Sequence, residues 1–441
     1  MKTNLLTFAI FFFACSRNIP TEKVYFNGRI WTGDKKNPHA TAIYVKDSTI
    51  VFVGSDAEAV SRAQDGASKI DLEGKFVTPG FIDNHVHFIS GGLHLSRIDL
   101  SGATSKNEFQ HEIAKNHEEI PDGEWMQGGN WDHEKWGGVL PDITWIDEVA
   151  SDRPIILDRL DGHMAVANSY ALNLAGIDET TNDPPGGLIL RDDSGKPTGI
   201  LKDKAINLCK DLIPEESDTE LDRALDQATD HAISLGVTQV HDMGSWRDLE
   251  VYHRNYKSQK LRIRIKIYPW YSNWEEIIKY VVKNGPGNDW LKWNGVKGMI
   301  DGSLGSKTAW MHSPYLDASD AHDKEHLTTF GIVTLEDTTN FKHILRQTDA
   351  NSIQHAVHAI GDKANDWILN QFADIRAKNG DRDRRSRVEH AQHLSPLAIT
   401  RFAKENIIPS MQPYHLFDDG SWAHTRVRKD VLKRTYVFKT L

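Results

Sequence analysis

Residues 81–88 read FIDNHVHF and follow directly on Thr78-Pro79-Gly80. An apolar opening that passes into alternation is the signature of a strand. Alternation sends Asp83, His85 and His87 to one face and Val86 to the other. Two imidazoles on one face at one strand end can grip a metal ion. A pair of hydrogen-bonded surface histidines is the plain alternative. What decides between them is whether the chain supplies more strands of this kind, with polar groups at the same end.

It supplies six more. GVTQVHDMG (236–244), RIRIKIYPW (262–270), GVKGMIDGS (295–303), SIQHAVHAIGD (352–362), SRVEHAQ (386–392) and IIPSMQP (407–413) read as strands separated by helical stretches. That alternation predicts an α/β fold with a parallel barrel or sheet. A barrel enzyme draws its site from the C-terminal ends of several strands. His85, His87, His358 and His390 all fall at such ends. Lys297 and Asp301 share parity within GVKGMIDGS, so both can face inward, where a lysine is costly unless it meets a partner or changes chemically. His355 has the opposite parity to His358 and is expected to face away. Each residue alone has a structural explanation, as a core histidine or a snorkelling lysine. Their shared placement on separate strands favours a site.

Working outward, residues 20–78 read as a small β-domain, with Asn27-Gly28 as its hairpin signal. The stretch from about 100 to 210 carries its own strand, RPIILDRLDGH, and reads as an insertion over the barrel mouth. Trp125, Trp131, Trp136 and Trp145 within it suggest an aromatic-lined entrance, with ordinary packing as the alternative. The first 19 residues hold Lys2, an apolar run from Leu5 to Ala14, and then Cys15. The run is too short for a bilayer span and fits a secretory signal. Ala14-Cys15-Ser16 matches a lipoprotein cleavage box. This predicts lipidation of Cys15 and an exported protein, periplasmic or membrane-anchored, with the lipid as its anchor. Cys209, in a helix-like stretch, reads as a buried structural thiol. With 52 Lys and Arg against 62 Asp and Glu, the net charge of −10 argues against a nucleic-acid partner. The basic run RAKNGDRDRRSR (376–387) is interrupted by acids and reads as a solvated loop. A homo-oligomer is compatible with this composition.

TPGFIDNHVHF, GGNWD, RPIILDRLDGHMAVANSYAL, DPPGGLILRDDSGKPTGIL, GVKGMIDGSLGSKTA, HAIGDKAND, RVEHAQHL and MQPYHLFDD together resemble the amidohydrolase superfamily. They resemble in particular its amidohydrolase-3 branch, which includes N-substituted formamide deformylase-like proteins. The resemblance runs from about residue 22 to the last residue. It implies a (β/α)8 TIM-type barrel over residues 79–441, with a small β-sandwich assembled from both chain ends. It also implies one or two divalent metals, zinc first among them. By resemblance His85, His87, His358 and His390 are metal ligands, and Lys297 matches a strand-four lysine that some members carboxylate to bridge two ions. Asp161, His163, Asn168, Gln412 and His415 match blocks bordering the substrate pocket, and Asp301 joins them by its inward parity.

The departure concerns the superfamily's aspartate at the end of strand eight, a metal ligand and general base. This chain stops at RTYVFKTL (434–441), where the family pattern enters the helix before that strand. Strand eight, its aspartate and the C-terminal part of the sandwich are therefore expected to be missing, as in a truncated enzyme. No residue here takes the aspartate's catalytic role. The expected reaction is metal-dependent hydrolysis of a non-peptide carbon–nitrogen bond in a small amide substrate, N-acyl or N-formyl. Two rivals stand beside it: a non-catalytic, membrane-tethered binding lipoprotein, and a metal-dependent esterase or lactonase.

Overall fold

The computed structural model describes residues 21–119, 124–160, 162, 164–184, 187–305, 308–316, 330–335 and 337–441. Cys15, Asp161 and His163 lie outside the described residues. The chain divides into two compact units between Phe81 and Ile82. Within the first, a four-stranded sheet runs in the order Thr49–Gly54, Ala42–Lys46, Glu22–Phe26, Ser68–Asp71. A helix, Asp56–Arg62, lays its buried Ala59 against Val24, Ala42 and Tyr44. Among the described residues no helix is long and apolar enough to cross a membrane.

The second unit contains all seven of the strands expected from alternation: β1 (Phe81–Val86), β2 (Val237–Asp242), β3 (Arg264–Ile267), β4 (Gly295–Met299), β5 (Gln354–Ala359), β6 (Arg387–His390) and β7 (Ile408–Ser410). They neighbour one another in chain order, as two four-stranded sheets. The first holds β1, β2, β3 and the short strand Leu291–Lys292, and the second holds β4 to β7. A bridge joins the two, where Lys297 N–H donates to the Pro269 carbonyl at 2.8 Å and Trp270 pairs with Lys297. Pairing is parallel from β2 to β3 and from β4 through β7. The register sets Lys297 opposite Ala356, His358 opposite Glu389, and Glu389 opposite Ser410.

Period-two alternation makes the two faces of this layer different in kind. Val357, Ala359 and Val388 pack outward with Phe341, Ile368 and Phe372 on the helices α5 (Thr338–Ala350) and α6 (Asp362–Asn379). Ala356 turns the other way, into a buried cluster with Met243 and Tyr268. His355 also turns outward. It is stacked on Phe372, and its Nε2 lies 2.9 Å from Thr348 Oγ1.

Two helices close over β1 and β2. α1 (Phe88–Leu95) meets α2 (Asp218–Ser234) so tightly that a Cβ added at Gly92 would stand 1.9 Å from the Ala224 carbonyl oxygen. At Gly91, one residue earlier, nothing lies within 4 Å. Gly92→Ala is therefore expected to cost about 1–3 kcal/mol by overpacking. Gly91→Ala should be neutral or stabilising by about 0.5–1 kcal/mol, since alanine loses less freedom in a helix. Urea denaturation of the pair reads the contrast, and equal midpoints would refute the close approach.

Behind β1, Asp242 is fully buried and accepts hydrogen bonds from the Phe88 N–H and the Tyr252 hydroxyl, both at 2.8 Å. Burial, with the nearby Asp248 charge, raises its pKa to about 7. Between pH of about 4 and 7 the unfolded chain releases a proton that the folded chain retains, so this group removes stability as pH rises. Asp242→Asn should abolish that slope. Its stability relative to the parent is expected to climb from pH 4.5 to pH 7.5, as unfolding midpoints at the two pH values would show.

The stretch read as an insertion builds a six-stranded sheet of its own, in the order Gly187–Arg191, Pro197–Asp203, Met164–Ala167, Ile155–Arg159, Met126–Trp131, Ile98–Asp99. Its four tryptophans pack on the cores of the two faces of this sheet, Trp131 within one of them and the others partly buried, with Trp125 also lining a cleft beside Arg97 and Gln127. Trp131 is fully buried, and its indole N–H donates to the Leu157 carbonyl at 2.8 Å. The basic run at 376–387 also behaves differently from a purely solvated loop. Arg382 and Arg384 fold back, each 2.7 Å from the buried carboxylate of Asp349.

Candidate functional site

The C-terminal ends of β1, β5 and β6 bring three histidines together. The His85 ring centroid lies 4.8 Å from that of His390, and the His358 centroid lies 4.5 Å from it. His87 stands just past β1 at the N-cap of α1, exposed, with its ring 6.0 Å from His85. His85 and His358 reach the cluster by ordinary alternation. His390 does not. Arg387 and Glu389 occupy the inward face of β6, so a regular strand would turn residue 390 outward with Val388. Instead the backbone enters the left-handed region, with φ of 72° at His390 and 42° at Ala391, and the ring joins the inward group. A non-glycine residue held there stores strain that the surrounding structure must enforce, as is common at functional sites.

Each of the three rings has one nitrogen tied to an oxygen that can only accept. His85 Nδ1 lies 2.6 Å from Glu389 Oε2, His390 Nδ1 lies 2.6 Å from Gln412 Oε1, and His358 Nε2 lies 3.0 Å from the Gly302 carbonyl. The tied nitrogen must carry the proton, which leaves the other with a free lone pair. Burial lowers the His85 pKa to about 4, assisted by the nearby Lys297 charge, and burial also holds His390 well below its ordinary value. These are neutral imidazoles, the form that binds metal. Glu389 is the opposite case. Burial alone would raise its pKa, but the hydrogen bond from His85 and the guanidinium of Arg387 hold it at about 2.

Lys297 is 2 % exposed on the inward face of β4, and burial brings its pKa down to about 8. Among the described residues its ammonium makes no hydrogen bond or ion pair. An unpartnered ammonium that deeply buried is costly in this state. Among the described residues, no group of three or more His, Cys, Asp or Glu side chains stands arranged to hold a metal ion as the side chains lie.

The residues expected to line a substrate pocket divide. Gln412 sits at the cluster, donating to the Ser410 carbonyl at 3.0 Å while it accepts from His390. His415, on α8 (Pro413–Asp419), is partly buried and stacks on His390 at 5.2 Å and 11°. Asp301 is fully buried, and its carboxylate accepts the backbone N–H groups of Trp310, Ile360 and Gly361 at 2.8–3.0 Å. His358 Nε2 is 3.4 Å from it. Asn168 is also fully buried and has a framework task. Its Oδ1 caps the helix Ser169–Leu174 and accepts from Ile155, while its Nδ2 donates to Ala150 and Arg153. That leaves its amide no donor for a ligand.

Sequence reading passed over Arg387 and Glu389, although RVEH carries them at i and i+2, the spacing that puts two opposite charges on one strand face. Arg387 is 4 % exposed. It forks onto Glu389 at 2.8 and 2.9 Å, and reaches Ser410 Oγ at 2.9 Å, His241 Nδ1 at 2.7 Å and the Asn84 carbonyl at 2.6 Å. One guanidinium thus touches β1, β2, β6 and β7.

The amidohydrolase family matches residues 69–441. Among individual proteins, the chain is 39 % identical over 428 residues to Protein LONG AFTER FAR-RED 3 of Arabidopsis thaliana, covering 94 % of this chain and 72 % of that protein. It is 33 % identical over 236 residues to the N-substituted formamide deformylase of Arthrobacter pascens, covering 52 % of this chain and 44 % of that one. Among solved structures it is similar to an uncharacterized metal-dependent hydrolase from Pyrococcus furiosus, at 26 % identity and a TM-score of 0.76, over 95 % of this chain and 82 % of that chain.

Proposed function

This chain belongs to the amidohydrolase family, and on that premise we propose that it hydrolyses a non-peptide carbon–nitrogen bond in a small amide, N-acyl or N-formyl, with a divalent ion held at the ends of β1, β5 and β6. Zinc suits such a site because imidazole nitrogen is one of its preferred ligands. The observation that carries the reading is the convergence of His85, His358 and His390, each with one nitrogen tied to an oxygen acceptor and the other free. The architecture that goes with it is a TIM-type (β/α)8 barrel. Seven strands neighbouring one another in chain order support this.

The donor types present suit the ion, although among the described residues the side chains as they lie form no group of three ligands. Three imidazoles supply nitrogen donors, and His87 at the mouth supplies a fourth. Lys297, buried and without a hydrogen bond or ion pair among the described residues, fits a lysine that gains an anionic partner or becomes carboxylated. When bound, a divalent ion there supplies Lewis-acid polarisation of the substrate carbonyl and lowers the pKa of water toward neutrality. The chain's own groups do the rest. Glu389 and Gln412 hold the ligand rings in one orientation, and the apolar packing around Ala356 and Tyr268 keeps bulk water from beneath them. His415, partly open and stacked on His390, is placed to hydrogen-bond an incoming substrate.

The test is turnover of N-formyl and N-acyl amides by the full chain before and after dialysis against a chelator. Hydrolysis is expected to vanish on dialysis and to return with added zinc. Turnover indifferent to the chelator would remove the ion from the mechanism. Turnover of matched esters with none of the amides would move the reading to an esterase.

A further inference from the structure

Resting on that reading, we propose that Arg387 and Glu389 are positioning residues that fix His85 in a single tautomer, with its lone pair on Nε2. The carboxylate of Glu389 has no exposure, and both its oxygens are engaged. Oε1 accepts from Arg387 Nε, and Oε2 accepts from Arg387 Nη2 and from His85 Nδ1. A carboxylate held as an anion by a guanidinium fork has no proton to give. The proton in the 2.6 Å contact therefore belongs to His85 Nδ1.

The fork is itself immobilised. Its remaining N–H groups reach Ser410, His241, the Tyr268 hydroxyl and the carbonyl of Asn84, the residue immediately before His85. Arg387 thus clamps the backbone of β1 directly and the His85 ring through Glu389. Ring and backbone are fixed from one anchor, which leaves the imidazole neither a flip nor a tautomer change without breaking a buried charge-assisted bond. An arrangement of this type sets ligand basicity as well as direction, and its loss elsewhere costs about 10–100-fold in metal affinity.

The experiment starts from chelator-treated full chain carrying 15N-labelled histidine, with His85→Gln used to assign the His85 signals. The unsubstituted protein is expected to show one His85 tautomer, protonated at Nδ1. Glu389→Gln presents an amide to the ring and is expected to depopulate that tautomer. Zinc affinity, read by competition with a chelating dye, should fall about 10–100-fold. Glu389→Asp keeps the charge, withdraws it by one methylene and should fall between the two. A mixed or Nδ1-unprotonated His85 in the unsubstituted chain overturns the proposal even if every variant misfolds. So does a folded Glu389→Gln with an unchanged tautomer. Because the tautomer is read without metal, the metal reading fails separately, through a His85→Gln chain that binds zinc as tightly as the parent.

Discussion

Arg387→Met is expected to destabilise the folded chain by about 3–5 kcal/mol, the cost of leaving one partner of a buried ion pair behind. Methionine fills much the same volume, so the loss reports charge and hydrogen bonds rather than a cavity. What remains is a carboxylate at Glu389 with no exposure and its cation gone, together with an unmatched Asn84 carbonyl and Ser410 hydroxyl. The pH dependence should weaken with it. In the parent, Glu389 is held at about 2, so its stabilisation is present above the unfolded value of 4.5 and is lost as pH falls from there through about 2. In the variant the hydrogen bond from His85 remains, but losing the guanidinium raises the folded pKa toward the unfolded one, so the loss of stability on acidification should shrink. Adding Glu389→Met should recover much of the loss, because apolar replacement of a whole buried pair is often close to neutral. Guanidinium unfolding of the single and double variants decides it, and a single-variant loss under about 1 kcal/mol would mean the hub holds little.

For His390 the expected effects on activity and stability point in different directions. Replacing a proposed ligand should cost hydrolysis more than about 100-fold, beyond what the loss of an outer partner brings. Alanine and glycine should be alike in that respect. In stability they should separate, with His390→Gly the firmer of the two by about 1–2 kcal/mol, because only glycine is at ease at a φ of 72°. In an ordinary strand the order would be the reverse. Amide turnover and urea midpoints on the same two preparations test both halves. A more stable alanine variant would show that the left-handed backbone carries no strain.

The seven strands were legible because alternation is local, and each pattern overlaps the strand it foretold, from β1 at Phe81–Val86 to β7 at Ile408–Ser410. His85 and His358 were legible for the same reason. Parity alone would have turned His390 away from them, and only the turn at the end of β6 brings it in. Strand parity carries no information about such a turn. Asn168 shows the opposite limit. A residue type suited to a pocket proved to be a buried cap, because capping depends on which backbone groups the fold leaves unpaired nearby. The Arg387–Glu389 pair was readable in principle from two opposite charges at i and i+2 in an apolar strand. What could not be read was its reach to Asn84, 303 positions away.

That distance along the chain bears on how the protein comes into being. His85 and Glu389 are separated by 304 positions, so during synthesis the first strand waits until nearly the whole polypeptide has emerged before its ring finds an anchor. At ribosomal rates of roughly 5–20 residues per second the interval is about 15–60 s, long compared with the folding of any single helix or hairpin. For that period the His85 ring and the apolar surface around it lack their anchor, and uncovered surface of that kind is what chaperones shield.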